Sequence, residues 1–193
     1  MFISNNSEST LAATLWPNPA ATFSLRTLLL AFAGSALLTL SAKIQVPFWP
    51  VPMTMQTFAV LVIGMTYGLR LGAATVVLYL AEGAAGLPVF AGGGGIAYLA
   101  GPTAGYLFGF VIAAALVGRL AELGWDRRVS TTAAAMLLGN LAIYVPGLLW
   151  LGTIVGYGKV FAVGMVPFLP GDALKLALAA AILPAVWHLA RQK

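Results

Sequence analysis

Asp172 and Lys175 are the only charged residues in the apolar run from Phe168 to Leu189, and their spacing of three puts both side chains on one helix face. A lysine at the centre of a bilayer costs about 2.5 to 3.5 kcal/mol on insertion scales, so something must stabilise it. Pro170 and Gly171, just before the pair, suit the first turn of a helix, whose free N–H groups add positive potential. The pattern predicts a site for an anion such as a carboxylate, or alternatively an internal salt bridge that fixes helix packing.

Other polar residues stand in or beside apolar runs and could converge on the same cavity. Asn140 and Tyr144 are four positions apart and share a helix face, and Gln56, Glu82 and Tyr106 are the further candidates. A few polar groups among apolar walls are typical of a small-molecule site. Each also has a simpler explanation. Asn140 and Gln56 could hydrogen-bond between helices. Tyr106 could anchor a helix at the membrane interface, and Glu82 could stay hydrated at the membrane surface.

The composition indicates a membrane protein. Hydrophobic residues make up 61% and charged residues 8% of the chain, with a mean hydropathy of +0.95, whereas soluble proteins carry about 25% charged residues. The sequence has no cysteine and a single histidine, His188, so we expect neither disulfides nor a metal site. It has no phosphate-binding loop and no dinucleotide fingerprint, so we predict that it is not an enzyme and needs no cofactor. An intramembrane enzyme would have to use Asp172 and Glu82 as its carboxylates.

Long apolar runs predict the fold class, an all-α integral membrane protein built as a bundle of six transmembrane helices. The second and third runs are short and are joined by Gly68, which allows a tight hairpin or a partly broken pair. Residues 1–24, rich in Ser, Asn and Thr, are predicted to be a mobile tail before a membrane domain of residues 25–193. The predicted spans are Leu25 to Ala42, Met53 to Tyr67, Leu69 to Ala85, Thr103 to Leu123, Ser130 to Leu151 and Phe168 to Leu189.

The basic residues orient this bundle and explain the net charge of +5 without any nucleic-acid partner. One side would carry Arg26, Arg70, Arg119, Arg127, Arg128, Arg191 and Lys193, and the other would carry Lys43 and Lys159. The positive-inside rule then predicts that both termini are cytoplasmic. The outer connections, residues 43–52, 86–102 and 152–170, are apolar and rich in Pro and Gly. Because such backbone is tolerated where it lines a cavity, we predict that these segments fold back into the outer half of the bundle.

Several motifs carry a family resemblance. They are Ala42 to Thr57, Tyr79 to Ala91, Gly101 to Tyr106, Gly139 with Asn140, and Pro167 to Lys175. With these motifs the chain resembles the BioY family, the biotin-specific substrate-capture (S) components of energy-coupling factor transporters. The resemblance implies a six-helix fold, biotin bound in a pocket near the outer face, uptake of this vitamin, and a place in the cell membrane.

The resemblance also implies ligand contacts. Asp172, Lys175, Asn140 and Tyr106 match the family's binding positions. By the same resemblance, residues 86–101 would close over the ligand. We expect Lys175 and the helix N-terminus to hold the biotin carboxylate, while Asp172 either accepts from the ureido N–H groups or keeps Lys175 charged. Trp49 would be an apolar wall or, alternatively, part of the interfacial aromatic belt. The full predicted binding set is Trp49, Gln56, Glu82, Phe90, Tyr106, Asn140, Phe168, Asp172 and Lys175.

The resemblance further implies partners. In S components, small residues of the first helix pack against a shared membrane protein. Here Ala31, Ser35 and Thr39 have the matching spacing of four. We therefore expect a transmembrane coupling protein, ABC-type ATPases and membrane lipid as partners, with self-association also open. The competing hypothesis is a stand-alone secondary carrier or facilitator for a small amphipathic carboxylate.

Overall fold

The computed structural model of the chain describes residues 10–16 and 25–190, most of which are helical. Among these residues, five stretches are long and apolar enough to cross a membrane. The prediction of an all-α, multi-pass membrane protein is therefore confirmed. The helices are α1 (Leu11–Leu15), α2 (Leu25–Lys43), α3 (Gln56–Ala84), α4 (Ala104–Glu122), α5 (Val129–Val155), α6 (Val160–Gly164) and α7 (Leu169–Ala190).

Helix α3 is a hairpin of two arms, residues 56–67 and 69–84. At Gly68 the backbone leaves the helix with φ 82° and ψ −180°, a conformation open to glycine alone. Gln56 Nε2 donates to the Tyr79 hydroxyl at 2.7 Å, which a straight helix could not allow across 23 residues. Of the two arrangements predicted for Gly68, the tight hairpin is correct. Since α3 crosses twice, the five stretches give six membrane segments.

The turn of this hairpin rests on α4. Glu122 Oε1 accepts a hydrogen bond from the Leu69 N–H at 2.9 Å, at the start of the second arm. Arg119 Nη1 pairs with the other oxygen of Glu122 at 3.1 Å. A Cβ atom added to Gly118 would lie 2.5 Å from the carbonyl carbon of Gly68, so only glycine fits where the two backbones meet. These contacts fix the hairpin against α4.

The remaining helices pack in sequence around this pair, with α2 on α3, α5 on α4 and α7 on α5. Apolar side chains fill the space between them, among them Val60, Met65, Val76, Val117 and Ile143. The outward faces are apolar as well, as Phe32, Leu40 and Leu174 illustrate. Helices that are apolar on all sides are those expected to be surrounded by lipid.

The two ends of the bundle differ as predicted. The antiparallel order brings the start of α2, the Gly68 turn, the α4–α5 connection and the end of α7 to one basic end. At the other end the connections fold into short elements. They are strands β1 (Gln45–Val46) and β2 (Met53–Thr54), which pair antiparallel, the 3₁₀ turns Ile96–Ala100 and Val166–Phe168, and α6. Which end faces the cytoplasm stays a prediction.

Part of the predicted N-terminal tail belongs to the described residues. Thr10 caps α1 by accepting a hydrogen bond from the Ala13 N–H at 3.3 Å, and the Leu11 side chain is buried. The Arg26 guanidinium donates to the Ala12 carbonyl and so ties α1 to the start of α2. Residues 1–9, 17–24 and 191–193 lie outside the described residues, and the mobility of the tail stays a prediction.

Candidate ligand-binding cavity

A cavity opens between α3, α4, α5 and α7 at the end of the bundle that carries the β1–β2 hairpin. It holds about 620 Å³ of empty space, counting the part that opens to solvent. Its wall includes most of the predicted binding set, namely Gln56, Phe90, Tyr106, Asn140, Phe168, Asp172 and Lys175.

The cavity has a polar inner end and a mouth. Next to Thr57, Asn140 and Lys175 lies a small apolar side pocket that is also lined by Phe58, Leu61 and Met136. On the opposite side, the wall residues Pro52, Ala91 and Tyr98 also line an open surface crevice. A ligand entering from the crevice therefore meets the group around Lys175 last.

Lys175 is fully engaged at this inner end. Its Nζ atom lies 3.1 Å from Asp172 Oδ1, 2.8 Å from the Thr54 carbonyl oxygen and 2.9 Å from Thr57 Oγ1. These acceptors match the three protons of an ammonium group. The other carboxylate oxygen of Asp172 accepts from the Tyr144 hydroxyl. The predicted pairing on one face of α7 is present, and the salt bridge itself forms part of the cavity wall.

The ion pair offers a ligand two kinds of contact side by side. Both side chains are largely buried, with 11% of Lys175 and 9% of Asp172 exposed. Because their charges nearly cancel, the pair attracts a free anion less than an isolated lysine would. An ammonium donor next to a carboxylate acceptor is instead suited to a neutral group that both donates and accepts hydrogen bonds.

Asn140 is a polar residue of the wall with unused bonding capacity. It is 8% exposed, and its side chain makes no hydrogen bond with any other residue in the described parts of the chain. Its amide atoms are not sealed off from the cavity and so can hydrogen-bond a ligand there. Asn140 is therefore the strongest single indication of a ligand in the cavity.

Two other predicted polar residues are already partnered within the chain. Gln56 joins the arms of α3 through Tyr79, and the Tyr106 hydroxyl donates to the Gly164 carbonyl of α6 at 2.8 Å. Both side chains face the cavity, so they shape it while holding its helices together. The alternative of interhelical hydrogen bonding fits Gln56 better than it fits Asn140.

Aromatic rings form the apolar walls. Phe90 is buried, stacks on Tyr98 with ring centroids 4.9 Å apart, and meets Tyr79 edge-on at 5.4 Å. Phe168 packs edge-on against Phe48, with centroids 6.2 Å apart. Phe90 and Phe168 thus stand where the sequence analysis expected apolar walls.

Two members of the predicted binding set do not reach the cavity. Trp49 lies in the turn between β1 and β2 and is 85% exposed, as an interfacial belt residue would be. Glu82 accepts a hydrogen bond from the Ser35 hydroxyl and holds α2 against the second arm of α3. Their side chains are directed elsewhere because the β1–β2 turn and the α2 interface place them there.

The predicted partner surface on α2 is also only partly available. Ser35 is 1% exposed because it faces Glu82, while Ala31 and Thr39 are half-buried beside it. This face of α2 packs against the chain's own α3. The exposed face of α2 instead carries larger apolar residues such as Leu29, Phe32 and Leu40.

Sequence reasoning missed several residues of the wall. Thr54 contributes its backbone carbonyl, and because every residue has one, the residue type does not reveal this contact. Thr57 and Tyr98 also line the cavity. Thr57 stands beside Gln56 in the first turn of α3, and that neighbour was the available signal. Tyr144 shares a helix face with Asn140, as noted from the spacing, and joins the polar group through Asp172.

Comparison with known proteins yields consistent matches. A model of the BioY family covers residues 13–192. The probable biotin transporter BioY of Pyrococcus horikoshii is 41% identical over 148 residues, which cover 76% of this chain and 87% of that protein. The biotin transporter BioY of Thermotoga maritima is 39% identical over 160 residues, which cover 82% of this chain and 94% of that protein.

One solved structure is similar in fold. The crystal structure of the S-component for biotin from an ECF-type ABC transporter superposes with a TM-score of 0.73, covering 86% of this chain and 95% of that chain. Because the sequences are 24% identical, this likeness bears on the fold alone.

Proposed function

Since the chain belongs to the BioY family, we propose that it is a biotin uptake protein that captures the vitamin at the outer face of the membrane. It would act as the S component of an energy-coupling factor transporter, with a transmembrane coupling protein and ABC-type ATPases as partners. The observation that carries this proposal is the set of polar groups at the inner end of the cavity. There an ion pair stands beside the unpartnered amide of Asn140.

The chemistry of biotin suits such a cavity. The ligand combines a bicyclic head bearing a ureido group with an aliphatic chain that ends in a carboxylate. Its apolar parts can lie against aromatic walls such as Phe90 and Phe168. Its ureido group needs both donors and acceptors, which Asn140, Lys175 and Asp172 supply together.

The close contact of Lys175 and Asp172 changes the orientation expected from the sequence. Two side chains 3.1 Å apart are poorly placed to hold opposite ends of the ligand, which argues against an orientation with the ureido group at Asp172 and the carboxylate at Lys175. A ligand carboxylate at Lys175 would also face the negative charge of Asp172. We therefore propose that the ureido group binds at the inner end, beside the pair of Lys175 and Asp172.

The carboxylate of biotin then points toward the mouth. There it can stay hydrated, which avoids the high cost of burying an ionised carboxylate without a dedicated counter-ion. This orientation leaves each end of the ligand in an environment that matches its polarity.

Replacement of Asn140 tests the site. In the purified chain, Asn140→Leu should weaken biotin binding about tenfold or more, since it removes hydrogen bonds to the ureido group. Thr66→Ala is the matched control, because the Thr66 hydroxyl bonds only within its own helix, to the Val62 and Ile63 carbonyls near the Gly68 turn. Calorimetric titration gives both dissociation constants. Equal affinities in the Asn140→Leu variant and the wild type would remove Asn140 from the site.

Reconstitution tests the transport role. Without a phosphate-binding loop the chain should bind biotin without nucleotide, and uptake against a gradient should require the coupling protein and ATPases. Radiolabelled biotin uptake into liposomes, with and without those partners, measures this. Rapid equilibration of biotin by the chain alone would instead favour the stand-alone carrier.

A further inference from the structure

A lysine outside the cavity is bonded to the cavity wall. Lys43 is the last residue of α2, and its Nζ atom donates to the Phe90 carbonyl oxygen at 2.7 Å. Phe90 lies in residues 85–103, the segment that connects α3 to α4, and its buried ring forms part of the wall. The bond therefore joins the end of α2 to a segment that would touch the ligand.

The ring of Phe90 has little freedom to move on its own. It lies against Gly83 so closely that a Cβ atom added there would overlap the ring, and Tyr98 stacks on one of its faces. A shift of the Phe90 backbone would therefore move the ring and the wall together. The bond from Lys43 to the Phe90 carbonyl resists such a shift, together with the Gly93 backbone and the Tyr79 bond to Val89.

Other anchors of this segment come from α3 and α5. The Tyr79 hydroxyl donates to the Val89 carbonyl at 3.1 Å, and Trp150 Nε1 donates to the Gly101 carbonyl at 2.9 Å. Lys43 differs from both because it is charged and belongs to α2, and like Trp150 it is exposed. A bond at an exposed position can open without unfolding the helices around it.

We propose that Lys43 is a positioning residue that keeps residues 85–103 closed against the cavity and thereby sets how fast the ligand leaves. This inference rests on the proposed function. Lys43 does not line the cavity, so it acts through Phe90. Opening the bond frees the wall at the mouth, beside Ala91, and leaves the polar inner end intact.

The test measures association and dissociation rates of radiolabelled biotin on the purified chain in lipid nanodiscs. Lys43→Met keeps the apolar stem and removes the donor, so the dissociation rate should rise about three- to tenfold while the association rate stays within about twofold. Lys43→Arg retains a charged donor and should restore slow release. Lys159→Met is the matched control, because the Lys159 side chain is exposed at the same end and makes no hydrogen bond with another described residue.

A second measurement separates positioning from a general loss of stability. Amide hydrogen exchange in residues 89–95 should accelerate in Lys43→Met, while exchange in α4 and α5 stays as in the wild type. In a Phe90→Ala background, Lys43→Met should add little, because both changes act on the same wall.

The outcomes are distinguishable. Unchanged dissociation in Lys43→Met, or an equal change in Lys159→Met, would overturn the role of Lys43 while biotin binding by the wild type upholds the proposed function. Exchange that accelerates throughout α4 and α5 would also overturn it, because Lys43 would then be a stabilising residue only. Absence of biotin binding in the wild type would overturn the proposed function itself.

Discussion

Lys175 donates to three acceptors, and this arrangement decides which part of a ligand it can bind. A new acceptor must replace Thr57 Oγ1 or share a proton with one of the existing partners. A neutral ureido oxygen can do so without adding charge next to Asp172. A ligand carboxylate would bring a second negative charge into contact with the pair, which raises the free energy of the complex.

Esterification of biotin tests this orientation. Lys175→Ala should weaken the binding of biotin and of biotin methyl ester by the same factor, about ten- to a hundredfold, because the ammonium contacts the ureido end in both. The double-mutant cycle should then be additive. If instead esterification weakens binding to the wild type but not to Lys175→Ala, the two changes are not additive and the carboxylate belongs at Lys175.

The variant needs one control. Lys175→Ala leaves Asp172 buried without its counter-ion, which destabilises the fold for reasons unrelated to the ligand. The same cycle in an Asp172→Asn background removes that contribution.

Single residues were predictable where spacing on one helix sufficed. Asp172 with Lys175, and Asn140 with Tyr144, follow from helix periodicity alone. Glu82 and Trp49, which were expected at the cavity, do not line it in this structure. Their positions depend on the α2 interface and on the β1–β2 turn, which spacing along one helix does not reveal. Whether a polar side chain is already partnered, as Gln56 is, depends on contacts across 23 residues that spacing does not reveal.

Among the elements, α3 and α4 depend on glycine at their crossing. Gly118→Ala would press a methyl group against the Gly68 backbone, which cannot move without breaking the turn. We expect a loss of about 1 to 3 kcal/mol in the free energy of unfolding. Reversible unfolding in mixed micelles measures it.

Gly158→Ala is the control for that substitution. No heavy atom lies within 4 Å of a Cβ placed on Gly158, so its stability should stay within about 0.5 kcal/mol of the wild type. Equal stability of the Gly118→Ala variant would show that the two backbones are not in contact.

Element boundaries followed the apolar runs closely. The prediction of Thr103 to Leu123 differs from α4 by one residue at each end. The prediction for α5 ended too early, at Leu151, because Gly152 resembles a helix terminator. The helix continues through Gly152 since the Tyr157 ring packs directly on it, in space that a side chain would occupy. The β1–β2 hairpin and α6 were not foreseen because Pro- and Gly-rich segments lack periodicity.

For the whole molecule, the distribution of basic residues predicts the orientation in the membrane. A single cysteine at exposed Arg128 should resist a membrane-impermeant thiol reagent applied to intact cells, whereas one at Gly158 should react. The chain has no native cysteine to interfere. Labelling of the Arg128→Cys variant from outside would invert the orientation and place the cavity on the cytoplasmic side.

The α3 hairpin also bears on how the protein fits its bilayer. At 1.5 Å per residue its arms are about 18 and 24 Å long, whereas the hydrocarbon core of a bilayer is about 30 Å thick. This hydrophobic mismatch leaves space above the arms, and the short segments around residues 44–55 and 85–103 occupy it. A thicker bilayer would surround the mouth with more acyl chain, so the path of a water-soluble ligand depends on the lipids as well as on the protein.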